Sequence, residues 1–190
     1  MKNTEPVIGI VGPSCVGKTT LLRLLDGTDD FHVLKQITCR EPRPDDGEYM
    51  RFTAVDDFRR MPRKEFFVRH GNYGILKEDV EKGAASGKPL VGIMGAFDIV
   101  QLKSGIYDKV LAVLLQFPGI DPEDIRKRMR TRKGFDVEGR LYEGLVYQDV
   151  FYTDEDYLRE YVDLVLISEA ARNESNINAV RGLVRAMIYG

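Results

Sequence analysis

Residues 12–19 read Gly12-Pro13-Ser14-Cys15-Val16-Gly17-Lys18-Thr19, the full GxxxxGK[ST] spacing of a phosphate-binding loop. Glycines at the two ends let the backbone wrap with its amides turned inward, and a helix starting at Lys18 would add partial positive charge. In that arrangement the Lys18 ammonium reaches the β- and γ-phosphates, and the Thr19 hydroxyl is placed to ligate Mg²⁺. The expected ATP contacts are therefore Gly12, Pro13, Ser14, Cys15, Val16, Gly17, Lys18, Thr19 and the adjoining Thr20. Cys15 reads as a small residue tolerated in the loop rather than as a nucleophile, although a helix N-terminus can lower a thiol pKa.

A second cluster carries cations and phenols. Thr38-Cys39-Arg40-Glu41-Pro42-Arg43-Pro44 is followed by Tyr49-Met50-Arg51-Phe52 and then by Gly71-Asn72-Tyr73-Gly74. Two arginines in a proline-stiffened turn suit a doubly charged phosphate monoester, because guanidinium forks bind phosphate bidentately. The same composition also suits a solvated Arg–Glu surface backed by aromatic core residues. A third cluster, Arg126, Lys127, Arg128, Arg130, Arg132 and Lys133, lies on a helical pattern, with Arg140 beyond it. Arg128 and Arg132 are four apart and share a face. Beside a phosphate-binding loop, such arginines can neutralise charge on a transferring phosphoryl group.

Elements that could position these groups follow from the apolar pattern. Val7–Val11 reads as a strand buried on both faces, ending at Gly12-Pro13. Leucines at 21, 22, 24 and 25 predict a helix from Lys18, stopped by Asp26-Gly27. Further strands are expected at Phe31–Ile37, Leu90–Met94, Val110–Phe117 and Val162–Ile167, and helices at Leu76–Ala85, Pro122–Arg132 and Asn176–Ile188. Strands alternating with helices predict an α/β fold with a mainly parallel sheet. Thr38–Ile75 breaks the alternation and is too long for a plain loop, so it reads as a small inserted subdomain. Within it, Thr53-Ala54-Val55-Asp56 predicts a capping box opening a short helix that ends near Met61-Pro62.

The chain's 190 residues suit one domain, and 43% hydrophobic with 31% charged residues suits a soluble enzyme. A net charge of −2 supplies no overall field for nucleic acid or a membrane. Two cysteines, Cys15 and Cys39, and two histidines, His32 and His70, argue against a structural zinc site and fit a reducing compartment. No apolar run near the N-terminus is long enough for a signal peptide or a span, so the expected location is cytoplasmic.

Taken together, the loop at 12–19, TCREPR at 38–43, YMRF at 49–52, GNYG at 71–74 and RMRTRKG at 128–134 resemble the guanylate kinase family in order and approximate spacing, from Val7 to about Ser168. The resemblance implies a three-layer P-loop NTPase-like core over 1–37 and 76–190, an acceptor-binding subdomain over 38–75 and an arginine-rich lid over about 128–145. It implies transfer of the ATP γ-phosphoryl group, with Mg²⁺, to GMP or a similar monophosphate. The partners are then small-molecule nucleotides, with no nucleic acid and no membrane, and the protein is a monomer or homodimer. Arg40, Arg43, Tyr49 and Tyr73 fall on the family's acceptor-phosphate ligands. Arg128, Arg132 and Arg140 match its lid arginines and join Lys18 as catalytic residues, while Asp98 is the available outer carboxylate for Mg²⁺ or a cap for the helix after it. The base-reading positions depart from the family: Gln36 replaces a hydroxyl residue, Val68 stands at the glutamate with Glu65 nearby, Ile75 replaces Ser or Thr, and Ile93-Met94-Gly95 replaces D-x-D. Two alternatives share the fold: a kinase acting on ribose 1,5-bisphosphate, and a non-catalytic interaction module.

Overall fold

The structure, a computed structural model, describes residues 5–13, 15–42, 46–107, 109–116, 155–169 and 172–189. Strand β1 (Val7–Val11) is buried at every position. It lies between β7 (Leu90–Ile93) and β8 (Val110–Gln116), parallel to both. The edges are β2 (His32–Val33) and β9 (Leu164–Ile167), giving a five-stranded sheet of order β2-β7-β1-β8-β9.

Side chains alternate along β1 between two apolar layers. Val7 and Val11 join Leu34, Val80, Leu90, Ile99 and Val110, which brings in α3 (Lys77–Ala84) and α4 (Ala96–Gln101) on one face. Ile8 and Ile10 join Leu21, Leu22, Leu25, Val113, Val180 and Val184, which brings in α1 (Lys18–Asp26) and the C-terminal helix Asn173–Tyr189 on the other. A strand apolar on both sides has no alternative but to be covered twice, and each fully buried Val, Leu or Ile contributes about 1.5–3 kcal/mol. The fold is the expected three-layer α/β core.

Phe31–Ile37 is not one strand. It divides into β2 in the parallel sheet and β3 (Gln36–Thr38) in a second, four-stranded sheet of order β4-β3-β6-β5. Leu34 still donates its N–H to the Val91 carbonyl at 2.8 Å, but Lys35 is exposed and the chain crosses between sheets there. Phe31, Val33, Leu34 and Ile37 lie on both sides of the crossing, so a hydropathy reading joins the two pieces. The crossing packs against Gly92, where a Cβ would come within 3.2–3.3 Å of Ile75 and Leu34. The other strands of this sheet are β4 (Met50–Phe52), β5 (Phe66–His70) and β6 (Tyr73–Leu76). Strand β3 runs parallel to β4 and antiparallel to β6.

A short helix, α2 (Val55–Arg60), forms where expected, but the Thr53 capping box does not. The N-cap is Ala54, without a side-chain cap. Thr53 is instead held by its own N–H, which donates to the Thr38 carbonyl at 3.0 Å and extends the β3–β4 pairing past the point where the helix was to begin. The expected helix at Pro122–Arg132 lies outside the described residues. Helix α5 (Glu155–Tyr161) leads into β9, and the C-terminal helix, α6, starts at Asn173 rather than Asn176.

Candidate active site: a phosphate cradle beside an arginine–tyrosine grip

Strand β1 delivers its last residue, Val11, at the carboxyl edge of the sheet, and the loop to α1 turns back through three left-handed residues. Gly12 has φ 146°, Cys15 φ 64° and Gly17 φ 100°. A Cβ on Gly12 would lie 2.5 Å from the Leu115 carbonyl of β8, and one on Gly17 would lie 2.8 Å from Ser168 Oγ just past β9. The loop therefore rests directly on the ends of two neighbouring strands, which only glycine allows at those positions. Cys15 has no such freedom, and a non-glycine residue in this region costs about 1–3 kcal/mol. Ser14 lies outside the described residues.

Gly17 caps α1, and the first intrahelical bond runs from the Leu21 N–H to the Gly17 carbonyl at 3.0 Å. The amides of Thr19 and Thr20 precede that bond and are not used by the helix. Lys18 Nζ folds back over the loop and donates to the Gly12 and Pro13 carbonyls, both at 2.7 Å. Unused amides, a helix dipole and an ammonium are thus gathered at one loop, a set suited to a polyphosphate.

The second cluster is assembled at the end of β3. Thr38, fully buried, donates its hydroxyl hydrogen to the Asn72 carbonyl at 2.7 Å and accepts from the Arg40 N–H at 3.3 Å. Cys39 N–H also donates to Asn72 O, at 3.2 Å. These bonds fasten residues 38–40 to the turn before Tyr73. Arg40 Nε donates to Tyr73 Oη at 3.0 Å, and its guanidinium stands 5.6 Å from the Phe52 ring centroid and 5.8 Å from that of Tyr73. Asp46 grips the other side of the fork with both carboxylate oxygens, one of them 2.8 Å from Nη1. Burial works against the Arg40 charge, but hydrogen bonding and attraction from Asp46 and Tyr73 outweigh it, and the pKa is raised.

Of the expected acceptor residues, the structure brings Arg40 and Tyr73 together. It does not bring Tyr49 to them. The Tyr49 hydroxyl donates to Asp26 Oδ2 at 2.9 Å, at the end of α1. Burial and then that hydrogen bond raise its pKa, so the contact is fully present below the ordinary tyrosine range and is lost only as pH rises through the raised value. Arg43 and the three lid arginines, Arg128, Arg132 and Arg140, lie outside the described residues.

Asp98 caps α4: its Oδ2 accepts from the Gly95 N–H at 2.8 Å and lies 2.5 Å from His70 Nδ1. Among the described residues no group of three or more His, Cys, Asp and Glu side chains is poised to hold a metal. Gln36 is engaged too, donating from Nε2 to the Ile93 carbonyl at 2.9 Å and stitching the second sheet to the end of β7. Val68 and Ile75 are core residues, 1% and 0% exposed, and Glu65 lies exposed in the turn before β5.

Two participants were not singled out from sequence, Asp46 and His70, and Phe52 entered only as part of the YMRF segment. The only local signal was an Asp45-Asp46 pair two residues beyond Arg43. The His70 ring stacks on Tyr73 at 5.8 Å with 22° between planes. Asp98, His70, Tyr73, Arg40 and Asp46 therefore touch in series. The series starts close to the cradle, because Met94 N–H donates to the Ile10 carbonyl of β1 at 3.1 Å and Gly95 follows directly.

A parallel sheet whose central strand feeds a glycine-rich loop and a helix N-terminus is the P-loop NTPase-like arrangement. No protein-family profile matches the chain. Individual relatives do. A guanylate kinase of Paraburkholderia xenovorans is 34% identical over 131 residues, 65% of this chain and 57% of the relative's length. One of Prochlorococcus marinus subsp. pastoris is 32% identical over 145 residues, covering 70% of this chain and 74% of the relative. The crystal structure of guanylate kinase from Anaplasma phagocytophilum superposes with a TM-score of 0.60 over 98% of this chain and 87% of that one, at 18% identity, a likeness of fold. The chain belongs to the guanylate kinase family. Among the described residues no helix is long and apolar enough to cross a membrane.

Proposed function

We propose that this protein is an ATP-dependent nucleoside monophosphate kinase that transfers the γ-phosphoryl group to GMP or a similar monophosphate. The observation that carries the reading is the Arg40–Tyr73 unit on the second sheet, connected through the His70 ring, Asp98 and Gly95 to the end of β7, where Met94 N–H bonds Ile10 O of β1 just before Gly12. One site suits a polyphosphate and the other a monoester, as phosphoryl transfer between two nucleotides requires.

The residues divide the work. The loop amides and Lys18 hold the donor's β- and γ-phosphates. Arg40, with Arg43 and Tyr73, holds the acceptor phosphate in line with the γ-phosphorus. No general base is needed, because the attacking phosphate oxygen is already anionic. Arg128, Arg132 and Arg140 would neutralise charge on the equatorial oxygens as the lid excludes water. A cradle that a Cβ would fill, with Thr19 in the first helical turn, fits Mg²⁺ held by the Thr19 hydroxyl and waters. When bound, the ion neutralises charge on the phosphate oxygens. Asp98, engaged by Gly95 and His70, contributes at most through water.

The base is the open end of the site. Val68 and Ile75 belong to the core, and Ile93-Met94-Gly95 places no carboxylate at the end of β7. That favours a second reading, in which a sugar bisphosphate such as ribose 1,5-bisphosphate is the acceptor. ADP formation from ATP and Mg²⁺ is to be measured with GMP, dGMP, AMP, CMP, UMP and dTMP. Activity with at least one is expected; inactivity with all six sinks the nucleotide reading. Stabilisation by ribose 1,5-bisphosphate exceeding that by GMP in a thermal-shift comparison selects the second.

The positions of the two tyrosines give a separate expectation. Tyr73→Phe removes a hydroxyl from the Arg40 fork and raises the acceptor KM about tenfold, the worth of one hydrogen bond to a charged group. Tyr49→Phe loses only the Asp26 contact and changes that KM by less than about threefold. Steady-state kinetics on the best acceptor check both.

A further inference from the structure

His70 closes β5 on the second sheet, yet its ring is fixed by the first. Nδ1 is buried 2.5 Å from Asp98 Oδ2, without the alignment of a proper hydrogen bond. The Asp98 side chain is only 3% exposed, whereas that of His70 is 33% exposed. Since Nδ1 is buried, the exposed part of the ring is the opposite edge, which carries Nε2. Tyr73 covers one face of the ring, and the Gly95 backbone comes so near that a Cβ there would lie 3.3 Å from His70 Cγ and Nδ1.

The ring is thus wedged with one polar edge outward, at a definite place. On one side is Tyr73, bonded to Arg40. On the other is the end of β7, hydrogen-bonded to β1 just before the cradle. A carboxylate taken out of water needs a partner, and Asp98 Oδ2 has the Gly95 N–H at 2.8 Å while also abutting the His70 ring at 2.5 Å, which holds the histidine between the donor and acceptor positions.

We infer that His70 is a further acceptor-binding residue: its Nε2 edge hydrogen-bonds the acceptor's phosphate monoester beside Arg40 and Tyr73, and Asp98 holds the ring at that angle. This rests on the kinase reading above. The competing explanation is that Asp98 is only the cap of α4 and His70 only its companion.

Asparagine and glutamine separate the two, because the Asn amide reaches the place of Nδ1 and the Gln amide that of Nε2. With the best acceptor, His70→Ala raises KM about tenfold while ATP affinity is unchanged. His70→Gln brings KM back to within about threefold of the unaltered protein, and His70→Asn does not. Rescue by Asn and not by Gln overturns the inference, as does an unaltered KM in His70→Ala. A thermal-shift titration with ribose 5-phosphate, the cradle being filled with ADP, reads monoester binding without turnover. Loss of that shift in His70→Ala supports the assignment even if no nucleotide of the panel is phosphorylated, which would sink only the nucleotide reading. A shift equal in His70→Ala and the unaltered protein, or none in either, overturns it.

Discussion

Lys18→Ala is expected to lower ATP turnover in the presence of acceptor by about a thousandfold, the upper range for removing one preorganised charge from a phosphoryl-transfer site. Two effects add. The ammonium is the cation fixed at the cradle, and its loss removes stabilisation that grows as charge develops on the transferring group. It also bridges the Gly12 and Pro13 carbonyls at 2.7 Å, holding a loop that already carries the left-handed Cys15. Without that bridge the loop relaxes and its amides lose their common focus, so ATP affinity falls together with kcat. Single-turnover rates and ATP titration by thermal shift read the two effects separately. An unchanged ATP affinity would favour the non-catalytic module.

Arg40→Ala is expected to lower kcat/KM for the acceptor by about two to three orders of magnitude, with ATP affinity preserved. The guanidinium carries more than a charge. It stands over Phe52 and Tyr73, receives Asp46 along one edge, bonds Tyr73 through Nε and donates from Nη1 to the Glu41 carbonyl at 2.8 Å, so its remaining surface is aimed by five contacts. Lysine keeps the charge and loses the fork, and Arg40→Lys should fall between alanine and the unaltered protein. Alanine also withdraws the counter-charge from an Asp46 side chain that is only 10% exposed, so Tm should drop. Adding Asp46→Asn should return Tm without returning acceptor use. Recovery of both would assign Arg40 to the fold alone, and an equal loss of ATP binding would erase the division into donor and acceptor sites.

How much of this was legible depended on how locally each feature is encoded. Strand β1, the loop and α1 were readable because spacing, glycine positions and leucine periodicity all fall within twenty residues and agree. The partnership of Arg40 with Tyr73 spans 33 positions; residue chemistry put the two segments in one cluster, and resemblance made them ligands of one phosphate. Tyr49 shows the limit of that resemblance: its hydroxyl is engaged by Asp26 on α1 instead. Thr53 fitted a capping pattern, but a backbone bond to Thr38 decided otherwise, since sheet pairing outweighs a local signal. Asp98 was readable as a helix cap and is one, but its contact with His70 gave no sign, the two being 28 residues apart and joined only by the approach of two sheets.

Val68 and Ile75 are sealed in the apolar layer beneath the second sheet. A carboxylate at 68 would have to ionise within that layer, at a cost of several kcal/mol, a large share of the 5–15 kcal/mol that holds a typical domain together. The cheapest single substitutions toward a different base are thus also the ones this protein can least tolerate. Under the kinase reading proposed above, a lineage drifting toward another acceptor through these positions would first have to survive as an unstable protein.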